Sequence, residues 1–413
     1  LLLLVLIFGS AGLVAFVSRT PAAVRLNRPP PEAAAADKGA DFTPAQVARD
    51  GDYQGPNYLS LGLSLAITLL TLVWLARGPV GWMVDRLEHV PGGWPVRILL
   101  VVIVVTAIVT IATLPLGYVG YVIDKAWGVS TQNASGWVMD QGRSFLVTAV
   151  TSVVTALAFF GLVRWQPRWW WLLGWIAFSL LTAVLVFLYP LVITPLFNKF
   201  TPLHDPRLLS SVHRLAAEAH VHIDEVLVAD ASKRTTAENA YVAGLGSSKR
   251  LVVYDTLLTQ QNPKETEFVI AHELGHEKKN HVLKGVGLAC VGLFVAFAVL
   301  RVLSGRASIW HWGGAMGVGD LRALPLLLLF ATVMTVLTLP IQNGFSRHFE
   351  SQADAVAIHL THDPGPAVAA FRRLAFANLS DLRPPELAVW LLYTHPPVRD
   401  RIQAVLSAAN PAH

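Results

Sequence analysis

Apolar and polar positions alternate along this chain in long blocks, and the blocks outline its elements. Seven apolar runs are long enough to cross a bilayer as helices, which takes about 20 residues. They lie near 1–17, 58–76, 98–118, 145–163, 169–189, 282–303 and 323–341. The first reads as a membrane anchor rather than a signal-peptide core, because Phe16-Val17-Ser18-Arg19 is a poor cleavage site. Only the stretch from Arg164 to Arg168 parts the fourth and fifth runs, which predicts an antiparallel helical hairpin. Trp169, Trp170 and Trp171 would then sit at the headgroup level as an aromatic belt. Residues 19–57, rich in proline, alanine and mixed charge, read as an irregular loop.

The organisation that follows is a five-span membrane region over 1–189, a polar segment over 190–281, two further spans over 282–341, and a polar segment over 342–413. Within the first polar segment, "AENAYVAGLGSSKRLVVYD" (237–255) alternates apolar and polar residues around Gly246-Ser247-Ser248, the pattern of a β-hairpin. A helix follows, with Asn262 as N-cap, Pro263 at the first helical position and Glu265 at capping-box spacing. It carries "VIAHELGHEKKNH" (269–281). The fold class is therefore mainly α and integral to a membrane, with a smaller α+β portion in water.

Composition agrees. The chain is 54% hydrophobic and 14% charged, against about 25% charged in soluble domains. A net charge of +5 spread along the chain implies a lipid bilayer as partner and no nucleic acid. With one cysteine, Cys290, neither an internal disulfide nor a thiolate metal site can form. The loops on the side of the two polar segments hold 23 of the 32 lysines and arginines and the opposite side 8, which places the polar segments in the cytoplasm. Arginine (23) outnumbers lysine (9), a bias that leans toward a bacterial inner membrane; the endoplasmic reticulum is the eukaryotic counterpart.

Residues i and i+4 of a helix share a face, so His272 and His276 can offer two imidazole nitrogens to one metal ion. Glu273 lies about 100° further round, where a carboxylate can take a proton from a water that zinc has made acidic. A chance H-E-x-x-H is common enough to demand a third ligand. In "GFSRHFESQADAVAIHL", Glu350 and Asp354 are again i and i+4 on a predicted helix just past the last span. Glu350 as ligand and Asp354 bonded to a ligand histidine complete the set for one zinc per chain. His281 lies five residues beyond His276, about 140° round a continuous helix, and reads as a helix-end or interfacial residue. His348 faces away from Glu350.

"PLFNKFTPL" (195–203), "NAYVAG" (239–244), "VIAHELGHEKKNH", "SRHFESQAD" (346–354) and "THPP" (394–397) together resemble the type I CAAX prenyl proteases and their bacterial relatives. The resemblance implies a gluzincin-type zinc metalloendopeptidase, with seven transmembrane helices around an intramembrane chamber and a zincin-like catalytic portion. It assigns zinc to His272, His276 and Glu350, general-base work to Glu273, and support to Asp354. It makes His395 a candidate oxyanion stabiliser and lays the strand at 239–243 along a peptide or protein substrate, with Asn239, Ala240 and Tyr241 offering it hydrogen bonds. Arg347 either orients the carboxylates or serves structure alone. Glu277 and Lys278, where eukaryotic members usually have Trp-Lys, bear on whether the substrate is prenylated.

Two other classes compete. A transporter or scaffold that merely binds metal should carry ionisable residues in mid-span, but these spans are nearly free of them, with Lys284 and Arg301 at their ends. A membrane di-iron oxygenase needs more histidines than the two motifs supply. The enzyme reading ranks first.

Overall fold

The computed structural model describes residues 2–18, 41–244 and 249–409. The membrane part holds α1 (Leu2–Val17), α2 (Pro44–Ala76), α3 (Pro79–Arg86), α4 (Gly93–Ala126), α5 (Ala134–Trp165) and α6 (Trp170–Leu188). The catalytic part begins with β1 (Phe200–Pro202), α7 (Pro206–Ala219), β2 (Glu225–Ala229), β3 (Ala240–Ala243), β4 (Arg250–Tyr254), α8 (Asp255–Gln260) and α9 (Pro263–Lys278). The chain then re-enters the apolar region as α10 (His281–Ser304), α11 (Ala307–Trp312) and α12 (Leu324–Thr361), and ends in α13 (Pro364–Ala377), α14 (Glu386–Leu392) and α15 (Val398–Ala409). Among the described residues, six helices (α2, α4, α5, α6, α10 and α12) are long and apolar enough to cross a membrane, and α1 is a shorter apolar helix. The seven expected runs are thus all helical.

Two expectations change. Helix α2 starts at Pro44, so residues 44–57, expected to be irregular, are helical; the loop's residues 19–40 lie outside the described residues. Thr43 and Gln46 form a reciprocal capping box, and Pro44 takes the first turn. The polar turns gain partners: Tyr53 Oη donates to Asp124 at 2.7 Å and Gln54 to the Leu379 carbonyl at 2.7 Å. Trp170, expected in an aromatic belt, is instead buried edge-on against Phe159 and near Phe297, while Trp169 is exposed. Successive positions of α6 aim the indoles in different directions, so Trp170 meets both α5 and α10 while Trp171 reaches Phe294 of α10.

The sheet runs β1-β2-β4-β3, with β2 and β4 parallel and the outer pairs antiparallel. The predicted hairpin is β3–β4, with Tyr241 opposite Val252; its turn at 246–248 lies outside the described residues. One face of the sheet packs on α9, where Leu251, Val253, Phe268, Ile270, Leu274, Leu360, Phe371 and Ile402 are almost wholly buried. Each such side chain contributes about 1.5–3 kcal/mol by leaving water. Asn262 and Glu265 cap α9 as predicted, and Glu265 also receives Arg373 Nε at 2.7 Å, which ties the helix start to α13. Helix α12 continues from the membrane into this core through Pro340, so its apolar stretch and its Glu350–Asp354 turn belong to one helix.

Candidate active site

The site lies where α9 crosses α12. The crossing is close because residue 275 is glycine: a Cβ there would stand 3.0 Å from both Cα and O of Ala353. His272 and His276, one turn apart, face Glu350 across that contact. His272 Nε2 lies 3.1 Å from His276 Nε2 and 3.2 Å from Glu350 Oε2, and His276 Nε2 lies 3.4 Å from Glu350 Oε1. Three tetrahedral ligands about 2.0–2.1 Å from a zinc ion stand roughly 3.3 Å apart. The spacing fits that ion.

The donor chemistry fits as well. Each imidazole has a neighbour beside its Nδ1: His272 Nδ1 lies 2.8 Å from Asp354 Oδ1, an ion-pair contact short of hydrogen-bond alignment, and His276 Nδ1 lies 3.0 Å from His281 Nδ1. That turns both Nε2 atoms inward, where two bare nitrogens would repel without a cation between them. Glu350 Oε2 is buried with no hydrogen-bond donor placed for it. Burial alone would depress His272, but Asp354 and Glu350 outweigh it and push it up to about 9. The pocket draws positive charge onto the His272 ring. Glu273, on the same helix, is pushed up by burial, with the two histidines opposing, as suits a base at neutral pH.

His395 approaches from the solvent side, 57% exposed, with Nε2 3.3 Å from Glu350 Oε2 and Nδ1 2.9 Å from Thr394 Oγ1. Asp354 is gripped by Arg401, whose Nε and Nη2 donate to its two oxygens at 2.9 and 2.6 Å. Arg347 touches neither carboxylate. Its Nη1 donates to the carbonyls of Val389 and Tyr393 at 2.8 Å each, and so braces the stretch leading to His395. Asn239, Ala240 and Tyr241 lie at the sheet edge: β3 pairs only with β4 among the described residues. A cavity of about 470 Å³ opens beside that edge, lined by Tyr189, Asn198, Asn239, Tyr241 and Tyr254.

Two functional contacts escape a reading by residue spacing. Arg401 lies 47 residues from Asp354 and carries no motif. His281 was set aside by assuming a continuous helix. The helix actually breaks, because Asn280 is left-handed (φ 55°) and turns His281 back onto His276. An asparagine after two lysines was the only sign of that turn.

Apolar spans joined to a helix bearing two histidines, with a carboxylate from a second helix, define a class: the membrane-embedded metallopeptidase. The comparisons agree. Residues 202–409 match the model of peptidase family M48, and 27–199 that of the CAAX prenyl protease N-terminal region, five membrane helices. The chain is 35% identical over 318 residues to the Bacillus subtilis uncharacterized metalloprotease YhfN, covering 76% of this chain and 74% of that protein. It is 29% identical to CAAX prenyl protease 1 of Saccharomyces cerevisiae, over 72% of this chain and 69% of the relative. The crystal structure of S. mikatae Ste24p shares the fold, with a TM-score of 0.76 over 98% of each chain at 21% identity. This chain belongs to peptidase family M48, and is a multi-pass membrane metalloprotease.

Proposed function

We propose that the chain holds one zinc ion between His272, His276 and Glu350 and hydrolyses peptide bonds in membrane-associated or unfolded polypeptides at the cytoplasmic membrane face, with no need of a prenyl group. The observation that carries this is the convergence of three ligand atoms at zinc spacing near a sheet edge that is unpaired among the described residues. Zinc supplies Lewis acidity toward a water and a carbonyl. The chain's own residues do the rest. Glu273 takes the proton of the attacking water and passes it to the leaving amine. His395, exposed beside Glu350, donates to the substrate oxygen as its charge grows. Asp354, held by Arg401, keeps His272 protonated on Nδ1. An extended peptide adds to β3 by main-chain hydrogen bonds, with Asn239, Ala240 and Tyr241 along its path.

Main-chain pairing is indifferent to sequence, so access has to select the substrate. Helix α6 buries only Trp170 and Gly174, which supports spans standing around an interior instead of filling it. Such a chamber favours segments already extended and near the bilayer. The second reading is removal of the C-terminal tripeptide from a prenylated protein, and the name of the yeast relative favours it. Purified enzyme in detergent should be given matched peptides with and without a farnesyl group, and an unfolded membrane protein. Cleavage of all three is expected, and cleavage of the farnesylated peptide alone would establish the second reading. Glu273→Gln should keep zinc and lose hydrolysis, whereas Glu350→Ala should lose most of the metal. Normal turnover by Glu273→Gln would refute the mechanism.

A further inference from the structure

The two histidines that share α9 are supported in opposite ways. His272 leans on a carboxylate, Asp354, neutralised in turn by Arg401. His276 leans on another imidazole. His281 Nδ1 lies 3.0 Å from His276 Nδ1, His281 Nε2 lies 3.0 Å from Gln352 Oε1, and Gln352 Nε2 lies 2.9 Å from His348 Nε2. The first three members come from α9, the start of α10 and α12, and the last is exposed at the surface.

From these contacts we infer that His281, fixed by Gln352 and His348, is the positioning residue that sets the tautomer and ring plane of His276 for metal binding. The polarity of the chain of bonds is forced once His276 gives its Nε2 lone pair inward. Its Nδ1 then carries the proton and donates to His281 Nδ1. His281 must carry its own proton on Nε2, which donates to Gln352 Oε1, an atom that can only accept. The Gln352 amide nitrogen can only donate, and does so to His348 Nε2. All four groups are satisfied in one direction alone, and reversing any member leaves two donors or two acceptors facing each other. His281 is itself held. It is 5% exposed and stacks on Phe349 with ring centroids 4.5 Å apart and planes 10° from parallel.

The inference rests on the zinc site proposed above, and the test separates the two. Zinc affinity is measured by chelator competition on the purified full chain, beside thermal unfolding of the metal-stripped protein. Cobalt replaces zinc for a visible spectrum. Removal of such a partner typically weakens metal affinity 10–100-fold. His281→Phe keeps the stack on Phe349 and the bulk but has no acceptor, and should weaken zinc binding by that factor and shift the cobalt bands, while the metal-stripped protein unfolds as the wild type does. Gln352→Leu should weaken binding less, and Gln352→Glu, a stronger acceptor, should restore or tighten it. Wild-type zinc affinity and an unaltered cobalt spectrum in His281→Phe would overturn the inference and leave the zinc site standing. Zinc binding by a His272→Ala, Glu350→Ala double variant as tight as by the wild type would overturn the site itself, and the inference with it.

Discussion

Glu238 is a carboxylate almost wholly removed from water, 3% exposed, immediately before the edge strand β3. Gln261 donates to its Oε2 at 2.6 Å, but its Oε1 has no hydrogen-bond partner. Burial pushes it up to about 7, against the lowering effects of Gln261 and Arg373. Its folded pKa is thus above the unfolded value of 4.5. The stability it contributes by holding a proton is complete below that unfolded value, and is lost as pH rises through about 7. Glu238→Gln keeps the shape without the charge, so the variant should come close to the wild type at pH 4, below the unfolded value, and unfold at a higher temperature at pH 8.5. The gain is on the order of 3 kcal/mol. Equal thermal midpoints in detergent at both pH values would refute this. Nothing in the sequence marked Glu238, because burial is a tertiary property. The proposed zinc ligands were legible for the opposite reason: helical spacing alone puts His272 beside His276 and Glu350 beside Asp354. Arg401 and His281 depend on a fold-level approach and a left-handed residue, and spacing carries neither.

At the scale of elements, the crossing of α9 and α12 sets the site, and Gly275 sets the crossing. A methyl there would meet Ala353 Cα and O at 3.0 Å and Val356 Cβ at 3.2 Å. Two of those three atoms belong to the backbone of α12 and the third lies one bond from it, so the helices have to part. Helix propensity alone predicts a gain of about 1 kcal/mol for Gly275→Ala, whereas overpacking costs about 1–3 kcal/mol. Overpacking should win, because both helices are anchored elsewhere, α9 through Glu265 and Arg373 and α12 through its run from the membrane. The variant should unfold earlier and bind zinc more weakly, since one helix carries the histidines and the other the carboxylate. A raised thermal midpoint with normal zinc affinity would show that propensity governs instead. The periods of these helices could be read from the chain, as could the Asn262 cap. The early start of α2 could not, because its first turns are polar and their partners, Asp124 and Leu379, lie far along the sequence.

For the whole molecule, the remaining question is which way it sits in the membrane, and the contacts narrow it. Tyr53 before the α2 span meets Asp124 at the end of α4. Ser130, between α4 and α5, bridges to Thr235 of the catalytic part, and Gln54 reaches Leu379 in the C-terminal part. The stretches 41–57, 119–144, 190–281 and 342–409 therefore gather on one face, as a count of alternating spans requires. That face, taken with residues 19–40, carries 23 lysines and arginines against 8 on the other. The opposing eight sit near span ends and in short loops, where each weighs more, and it takes the nearly threefold excess to outweigh them. On this balance we predict that the active site faces the cytoplasm. A fluorescent protein fused after residue 413 should fold and glow, and an alkaline phosphatase fused there should stay inactive for want of export. The same pair inserted in the turn at 166–168, between α5 and α6, should give the opposite result. Active phosphatase at the C-terminus with fluorescence at the turn would invert the molecule and put proteolysis outside the cytoplasm. The same reporter active at both positions would mean that the number of crossings between them is even.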